Sequence, residues 1–143
     1  MKILKTLFLC ISLFPFLVSG QKDIVKYEKT ATFFPGVEIL NQQNIECSYL
    51  TVPEDWNNPQ GKKIKIAVLI LKHNSKNTDV NPVVYLEGGP GAGGIASIWN
   101  WLWHPLRKNN DIILMDVRGT GFSFPKFCPD LGRKFLEILS KNQ

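Results

Sequence analysis

The feature that most restricts the fold is a short apolar run that ends abruptly in glycines. Pro82-Val83-Val84-Tyr85-Leu86 is followed by Glu87-Gly88-Gly89-Pro90-Gly91-Ala92-Gly93-Gly94. A continuous apolar run of this length, closed by a turn signal, is the pattern of a strand buried on both faces. A second such run, Asp111-Ile112-Ile113-Leu114-Met115-Asp116, ends in Arg118-Gly119. Between the two, Ile95, Ile98, Trp99, Leu102, Trp103 and Leu106 recur at helical spacing. Pro105 is expected to end or kink that helix. Strand, glycine turn, helix, strand is one βαβ unit, which implies parallel strands and a right-handed crossover.

Two strands are expected before this unit. Cys47 to Val52 places Cys47, Tyr49 and Thr51 on one face and Ser48, Leu50 and Val52 on the other. Lys63 to Lys72 begins with clean alternation and becomes apolar on both faces, as for a strand running from a rim into a covered sheet. The turn-rich stretch Asn57-Asn58-Pro59-Gln60-Gly61 separates them, and Asn74 to Asn81 is a polar connection. Residues 21–44 are a mixed lead-in with a turn at Phe33-Phe34-Pro35-Gly36. A last helix is expected from Pro129-Asp130, burying Leu131, Phe135, Ile138 and Leu139. The expected class is α/β: two leading antiparallel-type strands, then the βαβ unit.

The chain has 143 residues, 44% hydrophobic and 20% charged, which suits one globular domain. The formal charge of +5 is spread over scattered lysines with no basic run, so a nucleic-acid footprint is not indicated. Residues 1–20 read as a signal peptide: Lys2 and Lys5, then an apolar stretch from Leu7 to Val18, then Val18-Ser19-Gly20 before a cut at Gly20-Gln21. The apolar stretch is too short for a bilayer span of about 20 residues, so no stable membrane anchor is expected. Residues 21–143 would then be a secreted or periplasmic domain. Two cysteines remain after cleavage, Cys47 and Cys128. In an exported protein they are candidates for one disulfide, two free thiols being the alternative.

Glycine allows positive φ and close approach of the backbone to a ligand. Amides in such a turn, beside a helix N-terminus, can converge on a phosphate or a developing oxyanion. Gly89, Gly91 and Gly94 match G-x-G-x-x-G, and Asp116 ends the next strand 22 positions later, as in a dinucleotide-binding fingerprint. Pro90 removes an amide from that turn, two strands precede it, and export takes a protein away from NAD; this reading is the weaker one. No Lys-Ser or Lys-Thr follows the glycines, so a Walker loop is excluded.

Gly88-Gly89-Pro90-Gly91 after a Val-Val-Tyr-Leu strand resembles the H-G-G-P-G turn of proline iminopeptidases and tripeptidyl-aminopeptidase-like α/β-hydrolases. Asp116-Val117-Arg118-Gly119-Thr120-Gly121-Phe122-Ser123-Phe124-Pro125 resembles their D-x-R-G-x-G-x-S-x-P segment. Cys47-Ser48-Tyr49-Leu50-Thr51-Val52-Pro53-Glu54-Asp55-Trp56 is similar to the opening of the secreted branch, and Cys128 falls where that branch has a second cysteine. Order and spacing agree over roughly residues 45–130.

The resemblance implies the N-terminal part of an α/β-hydrolase domain that takes peptide or small ester or amide substrates, with no metal and no cofactor. It implies that the Gly89 amide is an oxyanion-hole donor within a loop of Glu87, Gly88, Pro90 and Gly91. It suggests a cis Gly89–Pro90 bond. Asp116 and Arg118, with Gly119, Gly121 and Ser123, are expected to be structural beneath the site; an exposed Asp116–Arg118 ion pair is the plainer alternative. Glu87 stands where the family often has His, which changes the hydrogen bonding of the loop.

Ser123 has Pro125 in place of the second glycine of G-x-S-x-G and precedes the expected nucleophile strand, so a turn hydroxyl is the better reading. The two histidines, His73 and His104, lie before the position a catalytic base would take, and no G-x-S-x-G occurs. The expectation is an oxyanion loop without nucleophile, acid or base, inactive alone and completed by a missing C-terminal part. A small non-catalytic binding module is the alternative. In the resembled sheet the third strand lies between the fourth and fifth, so Val83 to Leu86 is expected to expose an apolar edge.

Overall fold

The structure, a computed structural model, describes residues 24–76, 81–89 and 91–141. The signal-peptide segment and the Gly89–Pro90 bond lie outside these residues. Five strands form one mixed sheet: β1 (Lys26–Thr30), β2 (Ile45–Pro53), β3 (Lys63–Leu71), β4 (Val83–Tyr85) and β5 (Ile112–Met115). Their spatial order is β1-β2-β3-β5-β4. The first three and β5 pair antiparallel, and β4 pairs parallel with β5. The sheet and its interspersed helices are consistent with an α/β-hydrolase-type core.

β2 and β3 pair over nine residues each, from Ile45 opposite Leu71 to Pro53 opposite Lys63. The turn between them is held by the Asp55 carboxylate, which accepts the Asn57 N–H at 2.8 Å, an Asx-type closure. The expected β2 and β3 are both present, each with slightly shifted ends. β1 extends the antiparallel part to three strands, where the sequence indicated two. It has no apolar face to announce it: Lys26, Glu28 and Lys29 are charged. It is held instead by cross-strand polar pairs, Lys29 Nζ to Glu46 at 2.7 Å among them.

One face of the sheet is covered. Cys47, Leu69 and Leu114 stand in register across β2, β3 and β5, and Leu71 opposite Ile112 forms the next row. Phe33, Leu40, Ile95, Ile98 and Leu102 close over them. The covering residues come from the lead-in, with helix α1 (Glu38–Asn41), and from the β4–β5 crossover. On the opposite face Ser48, Ile64 and Val68 are buried, whereas Leu50, Ile66, Ile70, Ile113 and Met115 are half-buried.

The crossover departs from the expected single helix. It is a 3₁₀ turn (Gly94–Ser97), helix α2 (Ile98–Trp101) and a second 3₁₀ turn (Pro105–Lys108). Pro105 begins the second turn, where its missing N–H costs nothing. Ile95, Ile98 and Leu102 are buried as expected, but Trp99, Trp103 and Leu106 are exposed. The break rotates the last turn so that Arg107, not Leu106, faces inward.

Helix α3 (Leu131–Lys141) forms where expected, but Leu131, Phe135, Ile138 and Leu139 are exposed rather than buried. Periodicity identifies the apolar stripe; burial requires a surface to receive it, and none of the described residues supplies one. The expected Cys47–Cys128 disulfide is also absent: both thiols are free. Cys47 is in the core on β2, whereas Cys128 lies on an exposed segment beyond the Gly119–Lys126 bridge.

The two sheet edges differ. β1 presents charges, which discourage edge-to-edge pairing. β4 lies at the other end of the order, with Val84 55% and Leu86 62% exposed. This is the apolar edge expected from the sequence.

Candidate functional site

The glycine segment begins where β4 ends and lies beside the end of its parallel neighbour β5. In open α/β sheets, ligands bind beyond the carboxyl ends of the parallel strands. Gly89 and Gly91 have φ of +78° and +91°, a conformation that side chains with a Cβ adopt at a cost. The chain turns here and then enters the 3₁₀ turn at Gly94.

Glu87 anchors the start of the loop. Its carboxylate accepts hydrogen bonds from the Ser97 hydroxyl and, at 3.0 Å, from the Tyr85 hydroxyl. The Ser97 bond, then the Tyr85 bond, hold the carboxyl below its ordinary range. The residue that departs from the resembled motif therefore ties the end of β4 to the crossover. Gly88 and Gly89 are exposed.

Asp116 links this loop to the one after β5. It is fully buried. One carboxylate oxygen accepts the Ile95 N–H at 2.8 Å and the other the Phe122 N–H at 2.6 Å. The approach is close enough to exclude a side chain at Gly121, whose Cβ would overlap that carboxylate and whose φ is +46°. An acid bound to two amides of its own chain has no oxygen directed at a ribose, so the dinucleotide fingerprint is not realised.

Ser123 completes the clamp. Its hydroxyl donates to the Asp116 carbonyl at 2.7 Å and accepts the Ala67 N–H at 2.8 Å. It is buried, with 0% exposure. A hydroxyl so placed joins β3 to the loop and is not available to attack a bond. Phe122 stacks on Phe33, 4.9 Å between centroids, so the loop is also packed from the lead-in side.

Arg118 and Asp116 do not form an ion pair. Arg118 is exposed and reaches the Glu54 carbonyl at 3.5 Å. Gly119 has φ +81° and lies against the Phe127 ring. His104 caps the second 3₁₀ turn, its Nδ1 accepting the Leu106 N–H, and its ring lies against Trp101, 4.7 Å between centroids with the planes tilted by 44°. His73 pairs with Asp111 through its backbone N–H and ring Nδ1, at 2.9 and 2.7 Å. That pair lies where β5 begins, at the other end of the sheet from the glycine loop. The pairing of Asp111 with Lys72 and His73 was not legible in the sequence, because these partners lie 39 and 38 positions away. No group of three or more potential metal ligands is found among the described residues.

No family model matches the chain. It is 36% identical over 92 residues to a tripeptidyl aminopeptidase of Streptomyces lividans, covering 60% of this chain and 17% of that protein. The tripeptidyl aminopeptidase of Streptomyces coelicolor is 34% identical over a stretch of the same length. A putative hydrolase of Escherichia coli, YuaR, is 32% identical over 106 residues, covering 68% of this chain and 21% of that protein. The chain thus spans about a fifth of the length of the curated relatives it matches. The similarity is thus a partial one, to members of a hydrolase and peptidase group. No described helix is long and apolar enough to cross a membrane.

Proposed function

We propose that the chain forms the oxyanion-binding, N-terminal part of an exported serine hydrolase that cleaves peptide bonds near free N-termini. The Gly89 amide is the donor to the developing oxyanion, a contribution of about 3–4 kcal/mol to the transition state. Glu87, Gly88, Pro90 and Gly91 shape its loop. The observation that supports the reading is the Asp116 clamp, which ties the end of the glycine segment, at Ile95, to the loop after β5, at Phe122. Preorganised amides stabilise charge because they do not reorient during the reaction. The similarity to tripeptidyl aminopeptidases supports the substrate class.

In this proposal the nucleophile, acid and base lie in a further part of the protein, and the residues present here position the carbonyl. A serine outside this chain attacks that carbonyl as a histidine takes its proton; the C–N bond breaks as the histidine passes that proton to the departing amine, and water then hydrolyses the acyl-enzyme to free the serine. The test is active-site labelling of the natural full-length product with a fluorophosphonate probe, followed by peptide mapping. Label in a G-x-S-x-G peptide outside this chain, with turnover of a tripeptidyl anilide, is the expected result. Label on Ser123, or no label and no turnover, refutes the proposal and leaves a non-catalytic binding module as the account.

A further inference from the structure

Among the described residues, Arg107 is a buried cation with no counter-charge. Its side chain sits on the second 3₁₀ turn and is 1% exposed. Nε donates to the Lys72 carbonyl at 3.0 Å, and Nη1 donates to Gln43 Oε1 at 2.7 Å and to the Leu102 carbonyl at 2.9 Å. All three acceptors are neutral. Nη2 is buried and has no hydrogen-bond partner among the described residues. An uncompensated buried charge is among the most destabilising arrangements a fold can carry.

A second orphan lies against the same turn. The Ser75 hydroxyl is buried without a partner among the described residues. Its backbone N–H donates to the Lys108 carbonyl at 3.1 Å, and the Asn74 N–H donates to the Arg107 carbonyl at 3.3 Å. Residues 74–75 and 107–108 therefore run side by side. Beside them is a cavity of about 250 Å³ lined by Asn74, Trp103, His104, Arg107 and Lys108, together with apolar Leu102 and Pro105. Every polar side chain of that lining carries an N–H donor, and none is a carboxylate. Because His104 Nδ1 accepts the Leu106 N–H, a neutral ring places its proton on Nε2. The nearby Asp111 carboxylate is engaged by Lys72 and His73.

We propose that this cavity binds a small oxyanion, a carboxylate or phosphate, whose charge offsets Arg107 and whose rim contacts are Lys108 and His104. A buried water would satisfy the hydrogen bonds of Nη2 and Ser75 but not the charge. The volume approaches the lower end of small-ligand pockets, which begin at about 300 Å³. The site lies where β5 begins, away from the glycine loop, so it stands whether or not the hydrolase reading does.

The natural full-length product is titrated with sodium phosphate and, separately, sodium acetate at constant ionic strength and pH. Tryptophan fluorescence, with Trp103 at the cavity, and melting temperature are the readouts. Saturable binding is expected, with a melting temperature that rises with ligand concentration. Lys108→Gln, an exposed change, should weaken binding about twofold to fivefold, and Arg107→Met should abolish it. Saturation by either anion supports the site and identifies the shape it prefers. No saturable response to either, or unchanged affinity in Lys108→Gln, overturns the proposal; the latter decides even if Arg107→Met does not fold.

Discussion

Ser123→Ala separates a structural hydroxyl from a catalytic one. The hydroxyl bridges the Ala67 N–H and the Asp116 carbonyl at 2.8 and 2.7 Å, with no access to solvent. Its removal leaves a buried amide of β3 without an acceptor and deprives a carbonyl of its donor. An unsatisfied buried group costs about 1–3 kcal/mol, so the two together should cost about 2–6 kcal/mol, the void left by one oxygen adding little. With a urea dependence of about 2 kcal/mol per molar, the middle of the usual range, the unfolding midpoint should fall by about 1–3 M. Equilibrium unfolding of the full-length protein, followed by tryptophan fluorescence, measures this. Turnover per folded molecule, assayed well below the midpoint, should change less than about threefold, since a nucleophile's loss would cost many orders of magnitude. A midpoint within about 0.3 M of wild type, or a collapse of turnover in folded protein, would refute the reasoning.

Two further outcomes follow from the side-chain environments. Burial pushes the Cys47 thiol up, whereas Cys128 is exposed; native protein treated with iodoacetamide should be alkylated at Cys128 first, with Cys47 reacting only on unfolding. Finding neither thiol alkylated after denaturation would instead establish a disulfide. Burial raises the Asp111 carboxyl, but the His73 amide and ring and the Lys72 ammonium outweigh it and hold the group below its ordinary value. Its stabilising contribution is therefore fully present above the unfolded carboxyl pKa of about 3.9 and is lost as pH falls through the lower folded value. Asp111→Asn should lower the melting temperature at pH 7 and much less at pH 2.5; an equal loss at both pH values contradicts the assignment.

The strands that carry apolar side chains were legible in the sequence, and so was the glycine turn, because period and punctuation are local properties. β1 was not, since Lys26, Glu28 and Lys29 have strand geometry only through β2. The crossover was read one way and folded another. Gly94 approaches the Met115 carbonyl so closely that a Cβ would lie 2.5 Å from it, and Pro105 restarts the chain as a separate turn. Asp116 and Ser123 were legible as members of a motif. Their role was not, because the partners, the Ile95 and Ala67 amides, lie 21 and 56 positions away. The expected disulfide failed for a similar reason: cysteine counting concerns compartment, whereas bridging depends on where the backbone places two thiols. Arg107 could not have been singled out, as nothing in Pro-Leu-Arg-Lys indicates which of the three turns inward.

The strand order also sets a timetable for synthesis. β2 and β3 are sequential neighbours and can pair as soon as both leave the ribosome. β4 cannot, because its sheet partner is β5, and β5 begins only at Ile112. At about 5–20 residues per second, the stretch between them takes roughly 1–5 s to make. For that interval Val83-Val84-Tyr85 is an unpaired apolar strand on a nascent chain, a segment suited to capture by a chaperone. The arrival of β5 ends the wait from both sides, by pairing with β3 and β4 together.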